Sequence, residues 1–284
     1  MNTLANHYRF RCIVWALLML CGSQVHCQPA EAVASTNAIA DSATAVDFAG
    51  RQRMLAQRMT KAYLMLVRNI APERAQSILE ESRRRFEVQL EALKNFNSNP
   101  AIHDAVVHLE TSWNAFKAVL DQPPNDSGAE KLYDLSEQLQ KAAHNTTLAC
   151  ERISGTPLDH LINLAGRQRM LTQRIAKFYL YRTAGRLEAP AEMEFHLSRA
   201  HFTAVLLQLE ASPYLSDAVK ARVAALRTNE WADYEAAILA DKTLEGMLAR
   251  AEQVTDLSER TLARTEEIVA MIVQDAKSSD AKPN

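Results

Sequence analysis

The sequence predicts an all-α protein: two tandem up-down four-helix-bundle units related by internal duplication. Three observations carry that prediction. Residues 49–64 (AGRQRMLAQRMTKAYL) recur 116 positions later as residues 165–180 (AGRQRMLTQRIAKFYL), with twelve of sixteen positions identical. A repeat of this kind decides an architecture before any local propensity does. Only seven Gly and nine Pro occur in 284 residues, clustered between long periodic segments. That punctuation favours long helices over many short strands. Within the segments, apolar residues step by three or four, the spacing of a buried helix face. A pair of longer hairpins sharing one core is the alternative arrangement.

The chain opens on a targeting segment. Arg9 and Arg11 precede the apolar run 12–21 (CIVWALLMLC), and polar residues follow. This is the pattern of a secretory signal, and the run is too short for a spanning helix of ~20 residues. Residues 1–27 are therefore read as a signal peptide, with cleavage after Cys27, Ala32 or Ala34. An uncleaved inner-membrane anchor is the alternative. The mature protein is then periplasmic. Residues 28–43, rich in Ala, Ser and Thr, read as a flexible leader.

The first unit, 44–154, holds four helices. The first spans 45–69 and stops before Pro72, which opens the second (73–94) at a tolerated first-turn position. The turn 95–100 (NFNSNP) leads to 101–120, where Val106, Leu109, Trp113, Phe116 and Leu120 form one face. The loop 121–128 (DQPPNDSG) leads to 129–153. The second unit, 157–275, repeats the plan with helices at 158–183, 191–211, 216–239 and 242–274. Trp231 falls 118 positions after Trp113, and Glu252-Gln253 echoes Glu137-Gln138 at an offset of 115. Residues 276–284 read as a polar tail. Each unit has short connections, as an up-down bundle requires.

Composition excludes several functions. Hydrophobic residues make up 48% and charged residues 23%, a globular balance. The net charge is -2 with no basic stripe, so nucleic acid is not an expected partner. Cys12, Cys21 and Cys27 belong to the signal or its edge, leaving Cys150 alone as a small buried residue. Glu-x-x-His pairs of a di-iron bundle are missing. His103 with His108, and His196 with His201, are five apart and share no helix face. No metal, cofactor or enzymatic chemistry is expected. After the signal there is no further apolar span, so no second membrane crossing is expected either.

Chemistry must therefore come from the repeated motif. On a helix at 100° per residue, Phe48, Gln52, Leu55, Met59, Ala62 and Leu66 share one stripe. Arg51 and Arg58 flank it on one side, and Arg53 on the other. In the second copy Gln168 is central, between Arg167 and Arg169. An amide in the middle of an apolar face must find partners or cost about 1–3 kcal/mol. Edge arginines often only snorkel, packing the stem and solvating the head, and the geometry alone favours that role. Two such helices packed together would instead bring two Arg and two Gln to one level, a pocket for a small planar oxyanion.

Residues 162–174 (INLAGRQRMLTQR) resemble the periplasmic P-box of nitrate/nitrite sensor kinases of the NarX and NarQ type, and the sensor domain of PilJ-type pilus chemotaxis transducers. The shared pattern is I-N-x-A-G-x-x-R-M with a basic residue four positions after the Met. The first copy, residues 46–54 (VDFAGRQRM), lacks the Asn. The resemblance implies that the Arg before the Met, here Arg53 and Arg169, binds a nitrate-like anion between two motif helices. The helix geometry adds Gln52 and Gln168 to the candidate ligand-binding set, and the motif adds Gly50, Gly166, Arg51 and Arg167, the last two being charged where the sensors often are not. The two helices come either from the two repeats or from a homodimer. The resemblance further implies a membrane sensor kinase or chemotaxis receptor as partner. The competing expectation is a helical adaptor for such a receptor, or for pilus machinery, with no small-molecule ligand.

Overall fold

The computed structural model describes residues 39–96, 99–183 and 188–280. The expected signal peptide, most of the leader, the middle of the turn 95–100, Gly185 and the last four residues lie outside the described residues. The architecture is all-α, with no strand among the described residues. In order come α1 (Ser42–Val67), α2 (Pro72–Asn95), α3 (Pro100–Leu120), α4 (Asp126–Ser154), α5 (Pro157–Arg182), α6 (Glu188–Glu210), α7 (Asp217–Thr228), α8 (Glu230–Leu239) and α9 (Leu244–Asp280). None is long and apolar enough to cross a membrane.

Local chemistry sets the ends. Asp41 caps α1 by accepting from the Thr44 amide at 2.7 Å, which draws Ser42 and Ala43 out of the expected leader and into the helix. Asn69 and Ala71 adopt positive φ before Pro72 starts α2. Asn125 accepts from the Gly128 amide at 2.8 Å, so Asp126, Ser127 and Gly128 form the first turn of α4 and not a loop. Gly128 has a second reason to be there: a Cβ would lie 1.9 Å from the Tyr63 hydroxyl. The expected single helix 216–239 is divided at Asn229, whose backbone (φ -114°, ψ -90°) separates α7 from α8. The expected polar tail is helical as far as Asp280, because Ile272 and Ala276 continue the buried face of α9.

The first set, α1–α4, and the second, α5–α9, share one core. Helix α1 packs along α2 and α4, α5 packs along α6 and α9, and an extensive seam joins α1 to α5. Both motif helices run antiparallel to α9. Arg58 of α1 meets Glu259 and Arg51 meets Glu266, while Tyr179 of α5 meets Met247 and Arg169 meets Glu266. Two helices antiparallel to a third are parallel to each other, so α1 and α5 lie side by side in the same direction. Away from the seam the two sets are matched: Trp113 stacks on Phe86 at 4.3 Å, and Trp231 sits on Phe202 at 4.2 Å. Each indole anchors the outer pair of its set with a large buried area.

Towards the C-terminal end of the repeated segments, the sets are tied by buried ion pairs. Lys61 of α1 reaches Glu259 of α9 at 2.5 Å and Ser258 Oγ at 3.0 Å. Lys177 of α5 reaches Glu137 of α4 at 2.7 Å and Ser136 Oγ at 3.1 Å. Both lysines are fully buried. Burial alone would raise the two carboxyls, but Lys177 and Arg174 hold Glu137 at about 2, and Lys61 and Arg58 hold Glu259 at about 2. Groups held below their unfolded value of 4.5 contribute fully above it and lose that contribution as pH falls towards 2. Thermal unfolding is expected to be level above about pH 5 and to collapse below about pH 4. A melting temperature unchanged down to pH 2 contradicts these ion pairs.

Candidate functional site

The motif helices are not amphipathic in the expected sense. Every residue from 49 to 65 is buried, because α1 has α2, α4, α5 and α9 around it. A helix with neighbours on all sides has no solvent edge, so Arg53 and Arg169 do not snorkel: they are 1% and 0% exposed. The glutamines do face inward, but away from the seam. Gln52 Nε2 donates to Gln89 of α2 at 3.3 Å, and Gln168 Nε2 donates to the Phe202 carbonyl of α6 at 2.8 Å. Adjacent positions lie 100° apart on a helix, and here Gln52 turns to Gln89 of α2 while Arg53 turns to Asn163 of α5. The expected level of two Arg and two Gln is corrected to two Arg alone.

Those two arginines meet at the seam beside Gly50 and Gly166. A Cβ on Gly50 would lie 3.1 Å from Arg53 Nη2 and 3.7 Å from Arg169 Nη2. One on Gly166 would lie 3.2 Å from Arg169 Nη2 and 3.4 Å from Arg53 Nη2. The glycines therefore make room for two guanidinium groups, at positions where any side chain would crowd them. Like charges so close and so dry require compensation.

Compensation differs between them. Arg169 Nη1 lies 2.6 Å from Asp47 Oδ1 and 3.3 Å from Glu266 Oε2. Arg51 pairs with the same two carboxylates, at 3.0 Å and 2.6 Å. Burial works against the Arg169 charge, but Asp47 and Glu266 outweigh it and raise its pKa. Asp47, against its burial, is held at about 2 by Arg169 and Arg51. Arg53 has neutral partners instead. It donates to Asn163 Oδ1 at 2.8 Å, the Asn163 carbonyl at 3.2 Å and the Gly50 carbonyl at 3.2 Å, and contacts His144 Nδ1 at 3.3 Å. Burial, joined by the charges of Arg167 and Arg169, pushes its pKa down to about 9. At neutral pH it remains a buried cation with no carboxylate in contact. Burial, Arg53 and Arg167 also lower His144, so the ring is neutral at pH 7 and can accept through Nδ1.

The structure brings Arg53, Arg169, Gly50 and Gly166 together, and sets Arg51 on the carboxylates of Arg169 and Arg167 within electrostatic reach of Arg53. It adds as partners Asp47, Asn163, Glu266 and His144, which the sequence reading does not name as such. Asp47 and Asn163 were in view: each lies six positions before its arginine. The signal for the other two was the tetrad Asp134-Leu135-Ser136-Glu137, repeated as Asp256-Leu257-Ser258-Glu259 at an offset of 122. That offset, and not the echo at 115, matches α4 to α9, since Lys177 meets Ser136-Glu137 as Lys61 meets Ser258-Glu259. It pairs His144 with Glu266. Among the described residues no group of His, Cys, Asp and Glu could hold a metal. Cys150 is buried, and its thiol is pushed up to about 12 by burial, which suppresses the reactive thiolate.

Searches of curated proteins and of solved structures each gave no match. A family model does match part of the chain, and it covers the first motif copy but not the second. Residues 35–144 match the type IV pili methyl-accepting chemotaxis transducer N-terminal domain (PilJ), so the stretch from before α1 to His144 of α4 is similar to the helical module of those transducers.

Proposed function

We propose that this chain is a periplasmic sensor-type module, exported by residues 1–27, that holds a small planar oxyanion of the nitrate or nitrite class at the α1–α5 seam. It hands its state to a separate membrane receptor or kinase of the chemotaxis or pilus type. One observation carries the ligand: Arg53 is a fully buried cation whose direct partners are all neutral, beside a second arginine. An oxyanion would supply the missing charge and accept the planar fork of donors. Both motif helices come from one chain, so the site needs no homodimer.

The test is calorimetric. A ligand at ~100 times its Kd adds about 2.7 kcal/mol of stability, roughly 5 °C or more in Tm for a chain of this size. Nitrate or nitrite is expected to produce that rise over chloride at equal ionic strength, and Arg53→Met is expected to abolish it. No rise across a panel of small oxyanions sinks the reading. The adaptor reading then takes its place. It draws on the exposed Met193, Leu197 and Leu207 of α6 and Leu239, Leu244 and Leu248 around the α8–α9 junction, and it predicts co-purification with a receptor and no anion response.

A further inference from the structure

The two halves of the seam are built from the same positions and carry different charges. Offsets of 116 along the motif helices and 122 along α4 and α9 set Arg53 against Arg169, Asn163 against Asp47, and His144 against Glu266. The contacts obey that correspondence: Arg53 to His144 and Arg169 to Glu266 are both 3.3 Å, and Arg53 to Asn163 and Arg169 to Asp47 are 2.8 and 2.6 Å. Around Arg169 two carboxylates pair with two guanidinium groups, Arg169 and Arg51, and Arg85 adds a partly exposed cation 4.0 Å from Glu266 at the rim. Around Arg53 both carboxylate positions hold neutral side chains, and Arg167 adds a second cation within electrostatic reach. The carboxylate of Glu151 is also within reach, but it takes a hydrogen bond from Asn163 Nδ2 and one from His160. Arg53 with Arg167 against Glu151 leaves one positive charge. The two halves also differ in access at one pair of positions: Arg167 is partly exposed whereas Arg51 is buried, while His144 and its counterpart Glu266 are both partly exposed.

We propose that the half-sites are unequal by design of charge: Asp47 and Glu266 are internal anions that seal the Arg169 half, and one external monoanion binds the Arg53 half, held by Arg53 and Arg167 and entering past His144. This rests on the anion-binding reading above and adds its stoichiometry, its valence and its entry side. A divalent oxyanion would carry one charge more than the half can neutralise.

Two variants separate the halves. His144→Glu places in the Arg53 half the carboxylate that Glu266 supplies to Arg169. It is expected to raise Tm in anion-free buffer and to remove the response to nitrate. Asp47→Asn opens the other half. It is expected to lower Tm without anion, and to make sulfate, inert on the wild-type chain, bind at least tenfold more tightly. Asn163→Asp repeats the first test should His144→Glu not fold. The readouts are Tm and isothermal titration with nitrate and with sulfate on the full chain. A nitrate response of unchanged size in both His144→Glu and Asn163→Asp overturns the assignment and leaves the anion site standing. So does sulfate binding to the wild-type chain as tightly as nitrate. The absence of any anion response in the wild-type chain overturns both.

Discussion

Arg169→Met is expected to lower the unfolding free energy by about 3–5 kcal/mol, the size of loss seen when one partner of a buried ion pair is removed. Asp47 and Glu266 would keep their burial and lose the cation between them, leaving Arg51, with the more distant Arg85 at 4.0 Å from Glu266, against two carboxylates. The same substitution in the other repeat, Arg53→Met, is expected to stay within about 1–2 kcal/mol of the wild type. It strands the Asn163 acceptor, a loss of about 1–3 kcal/mol, but it also removes a buried charge that has no carboxylate in contact. Urea denaturation of the two variants gives the comparison directly. Equal losses would show that both arginines are compensated alike, and would remove the physical ground for an anion at Arg53. A large gap between them means that Arg53 is retained against stability, as functional residues often are.

The second large effect belongs to the ion-pair layer. Glu259→Ala is expected to cost about 3–5 kcal/mol, because Lys61 would remain fully buried with Ser258 Oγ as its neutral partner and Arg58 would lose its bidentate acceptor. Lys61→Met combined with Glu259→Met is expected to lose less than Glu259→Ala alone, since no buried charge is left unpaired at that point. The double-mutant coupling between Lys61 and Glu259 is the decisive quantity. A coupling below about 1 kcal/mol would place this pair with ordinary surface salt bridges and contradict its burial.

Much of the fold was legible from periodicity. Helices α2 and α3 begin and end within a residue or so of the apolar pattern, because Pro72, Asn99 and Pro100 mark their starts in sequence. The break at Asn229 was not legible: no Pro or Gly marks it. Residues 126–128 were read as loop because Asp, Ser and Gly are turn-formers by composition, and only the Asn125 cap and the close Tyr63 hydroxyl turn them into a helix start. The site was half legible. A helical wheel assumes one core and one solvent side, so it puts Arg53 and Arg169 at an edge that neighbouring helices on all sides remove. The partners on α4 and α9 depended on a register between distant helices, and a four-residue tetrad is a faint mark of register until the chain is folded.

The parallel seam of α1 and α5 has a consequence for how such a site can change. Between two identical subunits related by a two-fold axis, every substitution appears twice, so an acid introduced beside one arginine is introduced beside both. Here the two sides belong to one polypeptide, joined through the short turn at Gly155 and Thr156. Each side can vary alone, and Asp47 opposite Asn163 is such a variation. The tether also fixes the pair at a high effective concentration. Under the proposed function, occupancy would follow the anion alone and not the concentration of the protein, a property that a reversible dimer of half-length chains would not have.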